Sequence, residues 1–176
     1  VDTSHPDLTG SLLPGVSFVA GENATTDGNG HGTHVAGIIA AKRNNGIGVA
    51  GMMPSAKVVP VKVLDEYGRG TLADVVHGIV WAAGQNVDVI NMSLGLLGTD
   101  DVLHTAVKYA TNRGVLVVAA GGNERTENSP VNFPAAYDEV LAVSATEWQG
   151  AIAWFSNSNS YVDVAAPGED VFSTVP

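Results

Sequence analysis

The sequence predicts an α/β fold, a doubly wound and mostly parallel sheet with helices on both faces. Two observations carry that expectation. Apolar runs of strand length recur along the chain, and helical patterns lie between them. The runs are almost continuously apolar, as in strands buried on both faces. The 176 residues, 45% apolar and 15% charged, suffice for one domain with a real core.

The elements follow in order. His34–Lys42 (HVAGIIAAK) is small and apolar and predicts a buried helix. Lys57–Leu64 (KVVPVKVL) predicts a strand. Leu72–Gln85 predicts a helix, with Thr71 as its N-cap and Asp74 as the acidic partner three residues on. Val87–Leu94 (VDVINMSL) predicts the next strand. Asp101–Arg113 carries apolar residues at Val102, Ala106, Val107 and Ala110 and predicts a helix, stopped by Gly114. Val115–Ala120 and Val140–Ala145 read as further strands, with a shorter one over Val162–Ala166. Ligands of such sheets bind beyond the carboxyl ends of the strands. The loops there are Asp65–Gly70, Gly95–Asp100 and Gly121–Asn132.

Composition narrows the function. Eight basic and 18 acidic residues leave a net charge of −10, which repels a phosphate polyanion, so no nucleic-acid partner is expected. No apolar run reaches transmembrane length, so no membrane partner is expected either. The absence of cysteine removes disulfides, thiolate metal sites and a thiol nucleophile. Val1-Asp2-Thr3 lacks the basic start and apolar region of a signal peptide, so the chain is expected to be a mature product or an excerpt.

The stretch TDGNGHGTHVAG (Thr26–Gly37) holds four glycines, an acid and two histidines. A dinucleotide loop would need G-x-G-x-x-G and then an acid about 20 residues on. Gly28 and Gly30 fit, but Thr33 takes the third glycine's place, and no Asp or Glu occurs from Gly32 to Leu64. The stretch then reads as the mount of a histidine. His31 stands just ahead of the apolar helix, where the positive helix end disfavours imidazolium and favours the neutral base. Gly30 and Gly32 leave room for a substrate backbone. A histidine at a helix start also serves simply as a surface or capping residue. His34 reads as a packed helix residue, and the His31/His34 pair lacks the glutamate of a zinc-protease HExxH motif.

These residues resemble the histidine motif of the subtilisin-like serine proteases. Five more segments in family order extend the likeness over nearly the whole chain. They are SHPDL (Ser4–Leu8), VINMSLG (Val89–Gly95), VVAAGGN (Val117–Asn123), FPAAYDEVLAVSA (Phe133–Ala145) and VDVAAPGEDVFST (Val162–Thr174). The resemblance implies a secreted, extracellular serine endopeptidase with an Asp-His-Ser triad and a subtilisin-like fold. It makes His31 the general base and Asn123 the side-chain donor to the tetrahedral oxyanion. Outside that context, Gly-Gly-Asn is an ordinary turn after a strand.

The resemblance further implies that an extended peptide or protein substrate bonds its main chain to Ser93, Leu94 and Gly95 on one side. Gly68, Arg69 and Gly70 would flank it on the other. Ala120, Gly121 and Gly122 would line the pocket for the residue before the scissile bond, and their small size favours a large apolar or aromatic residue. Asn132 stands where the family often has glycine at the pocket base, which implies a shorter or more polar pocket. Leu72 and Val75, with Leu94, would wall a second apolar subsite or simply pack. A structural calcium ion is implied as cofactor, held by Asp7, the side chain of Asn44 or Asn45, and the carbonyls of Lys42, Ile47 and Val49. A weaker second cation site would use the Ala135 and Tyr137 carbonyls with Asp163. A pro-peptide inhibitor and a monomeric state are also implied.

By the same alignment the catalytic aspartate falls upstream of Val1. Asp2 lies too close to the HPDL segment to be that residue. The nucleophile belongs in a Gly-Thr-Ser-Met segment beyond Pro176, and Ser93, Ser144 and Ser173 fall at other family positions. Residues 1–176 are therefore expected to be a partial catalytic domain. It would lack the Asp-motif strand and the Ser-motif helix, and would be inactive alone. The competing reading is a non-catalytic homologue that binds extended peptides in the same cleft.

Overall fold

The computed structural model describes all of residues 1–176. The chain forms two compact units, Val1–Gly78 with Phe172–Pro176, and Ile79–Val171.

The first unit opens with a 3-10 turn at Pro6–Leu8. Strand β1, Val16–Ser17, then pairs in parallel with β2, Val61–Lys62. Between them runs α1, His31–Ala40, which starts one turn earlier than the apolar pattern predicts. Its buried residues Thr33, Ala36, Gly37 and Ala40 keep the i, i+3, i+4, i+7 spacing of a single face. The face is built of small residues because the chain comes very close there. A Cβ on Gly37 would run into the hydroxyls of Ser173 and Thr174. Those hydroxyls donate to the His34 and Thr33 carbonyls, 2.7 Å each. The last carbonyls of α1 also find partners. The Met52, Met53 and Gly51 amides bond Ile38, Ile39 and Ala41, and the Ser11 hydroxyl bonds Ala40. Leu8, Ala36 and Ala41 form the local core, with Leu12 and Val49 packed against it.

The predicted strand over Lys57–Leu64 shrinks to β2 and one isolated bridge, Leu12 to Val58. Pro60 is the reason, since it offers no N–H to a ladder; its carbonyl still accepts from Val16.

Helix α2, Leu72–Ala83, is fixed at its start by a reciprocal cap. The Thr71 hydroxyl accepts from the Asp74 amide at 3.1 Å and donates to the Asp74 carboxylate at 2.6 Å, as predicted.

The second unit holds β3 (Val89–Met92), β4 (Leu96–Leu97), α3 (Asp101–Thr111) and β5 (Leu116–Ala120). These are followed by β6 (Asn132–Phe133), β7 (Val140–Thr146) and β8 (Val164–Pro167). Strands β3, β5, β7 and β8 form one parallel sheet in that order, in register at Val89/Leu116, Val117/Val140 and Val143/Val164. Parallel neighbours need a crossover, and α3 lies in the one from β3 to β5. The Asp100 carboxylate caps α3 through the Val102 and Leu103 amides. Leu103, Ala106, Val107 and Ala110 form its buried face, and Gly114 follows at φ +81°.

The α/β class and the mostly parallel sheet are those the sequence predicts. Burial is more one-sided than the continuous apolar runs suggest. Ile90, Met92, Val117, Ala119, Val140 and Ala142 are buried, whereas their alternating neighbours Val89, Leu116 and Ala120 are exposed. Side chains of a strand point alternately to its two faces, and here only one face is consistently covered.

Candidate functional site

His31 is the first residue of α1 and its side chain is exposed. The turn ahead of it is set by Gly30, at φ +95°, where glycine alone is unstrained. It is also set by Asp27, whose capping role the sequence reading missed. One Asp27 oxygen accepts the Asn29 and Gly30 amides (3.2 and 2.8 Å). The other accepts the Thr33 amide (2.8 Å) and hydroxyl (2.6 Å). Burial raises the Asp27 pKa, but the Thr33 hydroxyl and the Gly30 and Thr33 amides outweigh it and hold the carboxyl at about 2. A charged carboxylate at a helix N-terminus also suits the helix dipole. Asp27 thus explains why the helix begins at His31.

The segment Gly68–Gly70 belongs to a turn organised by Asp65. Its carboxylate accepts the Tyr67 and Arg69 amides at 2.9 Å each, and its own amide donates to the Arg69 carbonyl at 2.8 Å. Gly68 sits at φ +75°, and Gly68, Arg69 and Gly70 are all exposed. Leu72 opens α2 with 37% of its surface exposed, whereas Val75 is buried at 7%. Val75 therefore packs in the core, and only Leu72 is open to a ligand.

The Asp7 region is built as tightly as the sequence suggests. Asp7 is fully buried and makes no ion pair. One of its oxygens accepts the Asn45 side-chain amide at 2.7 Å, the other the Val49 amide at 2.8 Å. Asn45, rather than Asn44, is thus the residue that reaches Asp7. A Cβ on Gly48 would collide with the Asp7 carboxylate, so the loop is wound closely around that charge. Lys42, Asn44, Asn45, Ile47 and Val49 are among the residues lining an open cavity of about 280 Å³. A buried carboxylate met only by neutral donors is an uncompensated charge, and a hard cation with carbonyl and amide oxygens would balance it. Asp7 is the one carboxylate this set would offer such an ion, and both of its oxygens already accept N–H donors. No three His, Asp or Glu side chains gather anywhere in the chain. At the second predicted cation site, the Asp163 carboxylate accepts the Ala142 amide at 2.8 Å and the Tyr137 carbonyl accepts from Val140.

In the second unit the structure brings several predicted residues together. Ser93 and Leu94 are half-buried and Gly95 is exposed, immediately before β4. Strand β4 pairs antiparallel with β6, Leu96 to Phe133 and Leu97 to Asn132. A Cβ on Gly95 would lie 2.8 Å from the Asn132 Oδ1 atom. Asn132 is buried and donates its Nδ2 to a Glu124 carboxylate oxygen at 2.7 Å. Ala120 is exposed at the end of β5, Gly121 is buried, and Gly122 turns the chain at φ +106°. Asn123 follows, exposed, with no hydrogen bond from its side-chain amide to the rest of the protein; only its backbone N–H is held, by Glu124 at 2.9 Å. Glu124, Asn157 and Tyr161, which organise this region, carry no sequence signal beyond Glu124 standing next to Asn123.

Comparison with known proteins places the chain in a family. The subtilase family model matches residues 1–175. The chain is 46% identical over 176 residues to thermitase of Thermoactinomyces vulgaris, covering all of this chain and 62% of that protein. It is 48% identical over 174 residues to subtilisin BL of Lederbergia lenta, covering 99% of this chain and 63% of that protein. It is also 48% identical to the major intracellular serine protease of Bacillus subtilis (strain 168), covering 99% of this chain and 57% of that protein. The chain thus spans about three-fifths of the length of these relatives. With the family model matching residues 1–175, the chain belongs to the subtilase family.

Proposed function

We propose that the protein carrying these residues is a secreted serine endopeptidase that cleaves peptide bonds through an acyl-enzyme. One observation supports this most. In a chain of this family, Asn123 stands exposed after β5 with a side-chain amide bound to nothing in the protein, on a backbone held from below. A preorganised donor kept free for incoming charge is what oxyanion stabilisation requires.

The steps assign one role to each residue. A serine hydroxyl attacks the scissile carbonyl and gives its proton to His31 Nε2. The carbonyl oxygen becomes an oxyanion and accepts from Asn123 Nδ2. The C–N bond breaks as the amine leaves with the proton from His31. Water then attacks the acyl-enzyme by the reverse sequence and frees the acid. An aspartate bonded to His31 Nδ1 would fix its tautomer. We place that aspartate and the nucleophilic serine outside residues 1–176, which makes the segment a partial catalytic domain without activity of its own.

The substrate main chain pairs with Ser93–Gly95 as an added strand, and Gly68–Gly70 is a further proposed contact. Ala120, Gly121 and Gly122 receive a large apolar side chain above Asn132, and Leu72 meets a second apolar one. Calcium, when bound by Asp7, Asn45 and the Lys42, Ile47 and Val49 carbonyls, cross-links the loop to the 3-10 turn. A pro-peptide inhibitor and a monomeric enzyme complete the reading. Among the relatives one is named an extracellular protease and another an intracellular one; the secreted reading follows the former.

The test is labelling of the full-length protein with a fluorophosphonate probe. Wild type is expected to label and His31→Ala to lose nearly all labelling. Undiminished labelling of His31→Ala would remove His31 from the mechanism.

A further inference from the structure

The oxyanion reading gives Asn123 a job that depends on position to a fraction of an ångström, yet its own side chain makes no hydrogen bond that would hold it. The constraint has to come through its backbone. Three consecutive backbone groups around Asn123 are tied down, and one distant residue is involved in all three. The Asn157 amide donates to the Gly122 carbonyl at 3.0 Å. The Asn157 Oδ1 accepts the Glu124 amide at 2.9 Å. The Asn123 amide donates to Glu124 Oε2 at 2.9 Å, and the same oxygen accepts Asn157 Nδ2 at 3.2 Å. Asn157 Nδ2 also donates to the Pro130 carbonyl at 3.2 Å.

Asn157 is fully buried, and both polar atoms of its side chain are hydrogen-bonded, Oδ1 to Glu124 and Nδ2 to Glu124 and Pro130. Glu124 Oε2 takes a third donor from Asn132 at 2.7 Å. Gly122 is compulsory beneath them, because a Cβ there would overlap both the Asn132 and the Asn157 amide nitrogens. Tyr161 braces the preceding residue, donating its hydroxyl to the Gly121 carbonyl at 2.8 Å.

We propose that Asn157 is a positioning residue for the oxyanion donor, acting through Glu124 and the Gly122–Glu124 backbone to aim the Asn123 side chain. The assignment rests on the endopeptidase reading. It is specific in chemistry. Only a side chain with one acceptor and one donor can serve both the Glu124 amide and the Glu124 carboxylate. Loss of that clamp leaves the Glu124 N–H without its partner and frees the turn to shift. A shift of about 1 Å away from the reacting atoms can cost on the order of a hundredfold in rate.

The experiment uses the full-length enzyme, with active sites counted by titration so that unfolded molecules do not enter the rate. Asn157→Ala is expected to lower kcat by about ten- to a hundredfold and to leave KM within about twofold, because the donor acts on the transition state and not on bound substrate. A purely structural role would lower the number of titratable sites without lowering the rate per site. In an Asn123→Ala background the same substitution should change kcat by less than about threefold, since residues acting in series are not additive.

Where Asn157→Ala yields no folded enzyme, Asn157→Asp takes its place. It keeps the acceptor for the Glu124 amide but sets a second carboxylate against Glu124. Its kcat should fall and should recover on adding Glu124→Gln, which restores a donor between the two. A kcat per site unchanged in Asn157→Ala, full additivity with Asn123→Ala, or no recovery in the Asp/Gln pair would each overturn the assignment. If wild-type protein neither hydrolyses peptides nor labels with fluorophosphonate, the endopeptidase reading fails and this inference falls with it. An active wild type with an indifferent Asn157 removes the positioning role alone.

Discussion

The side-chain amide of Asn45 donates to the buried carboxylate of Asp7 across 2.7 Å, joining the loop after α1 to the 3-10 turn near the start of the chain. The pair puts an uncompensated negative charge in a place that water cannot reach. A cation that binds there stabilises the folded state by mass action, about 2.7 kcal/mol at a hundredfold excess over its dissociation constant. Calcium removal with a chelator should therefore lower Tm by on the order of 5–10 °C for a domain of this size. Asp7→Asn should abolish the response to chelator, and Asn45→Ala should weaken it. A Tm indifferent to both calcium and chelator would remove the ion from the proposal.

Asp27 sets the start of α1 and thereby the mounting of His31. Replacing it with alanine should cost about 1–2 kcal/mol, the usual worth of a strong N-cap. The pH dependence has a defined sign. The folded pKa of about 2 lies below the ordinary 3.8, so the folded state favours the ionised form. The stabilisation is complete above the ordinary value and is lost as pH falls through that of the folded state. Thermal melts of wild type and Asp27→Asn should therefore differ most above pH ~4 and converge near pH ~2. A difference that does not change with pH would mean that the cap works by geometry alone.

The parts of this structure legible in the sequence are those with a local signature. The runs at Val115–Ala120 and Val140–Ala145 became β5 and β7 within a residue at each end, because short, mostly apolar runs of strand length between helical patterns have few alternatives. Thr71 and Asp74 announced their cap by spacing. His31 was legible as a motif residue, but its place inside the helix was not, since Asp27 caps it from outside the helical pattern. Pro60 cut the strand predicted over Lys57–Leu64, an effect that hydropathy alone does not register. Strands β4 and β6 have two residues each, too few for any periodicity. The clamp on Asn123 was invisible because Asn157 lies 33 residues beyond Glu124 and has no pattern around it. Side chains that act through tertiary hydrogen bonds leave no periodic trace.

Asn132 governs the floor beneath Gly122 and Gly95. Its Nδ2 serves Glu124 and its Oδ1 sits under Gly95, so the side chain fills space that a glycine would leave open. Asn132→Gly should deepen the proposed pocket. The ratio of kcat/KM for an aromatic over a small apolar residue before the scissile bond should rise by about tenfold, the scale of one or two methylenes in an apolar pocket. Peptide substrates differing only at that position read the change directly. An unchanged ratio would separate Asn132 from substrate selection and leave it as a support for Glu124.

Asn123 carries the most exacting prediction. Its exposed amide makes no hydrogen bond within the protein, so Asn123→Ala removes no folded-state bond of that amide, and Tm should move by no more than about 0.5 kcal/mol equivalent. The proposed main-chain pairing with substrate lies elsewhere, so KM should hold. The transition state alone loses a donor, and kcat should fall by about 10²–10³, a scale established for a subtilisin's own oxyanion asparagine. Measuring Tm, KM and kcat on one full-length variant separates the roles. A large kcat loss with unmoved Tm and KM identifies an oxyanion donor, whereas a loss of Tm with intact kcat identifies an ordinary turn residue after β5.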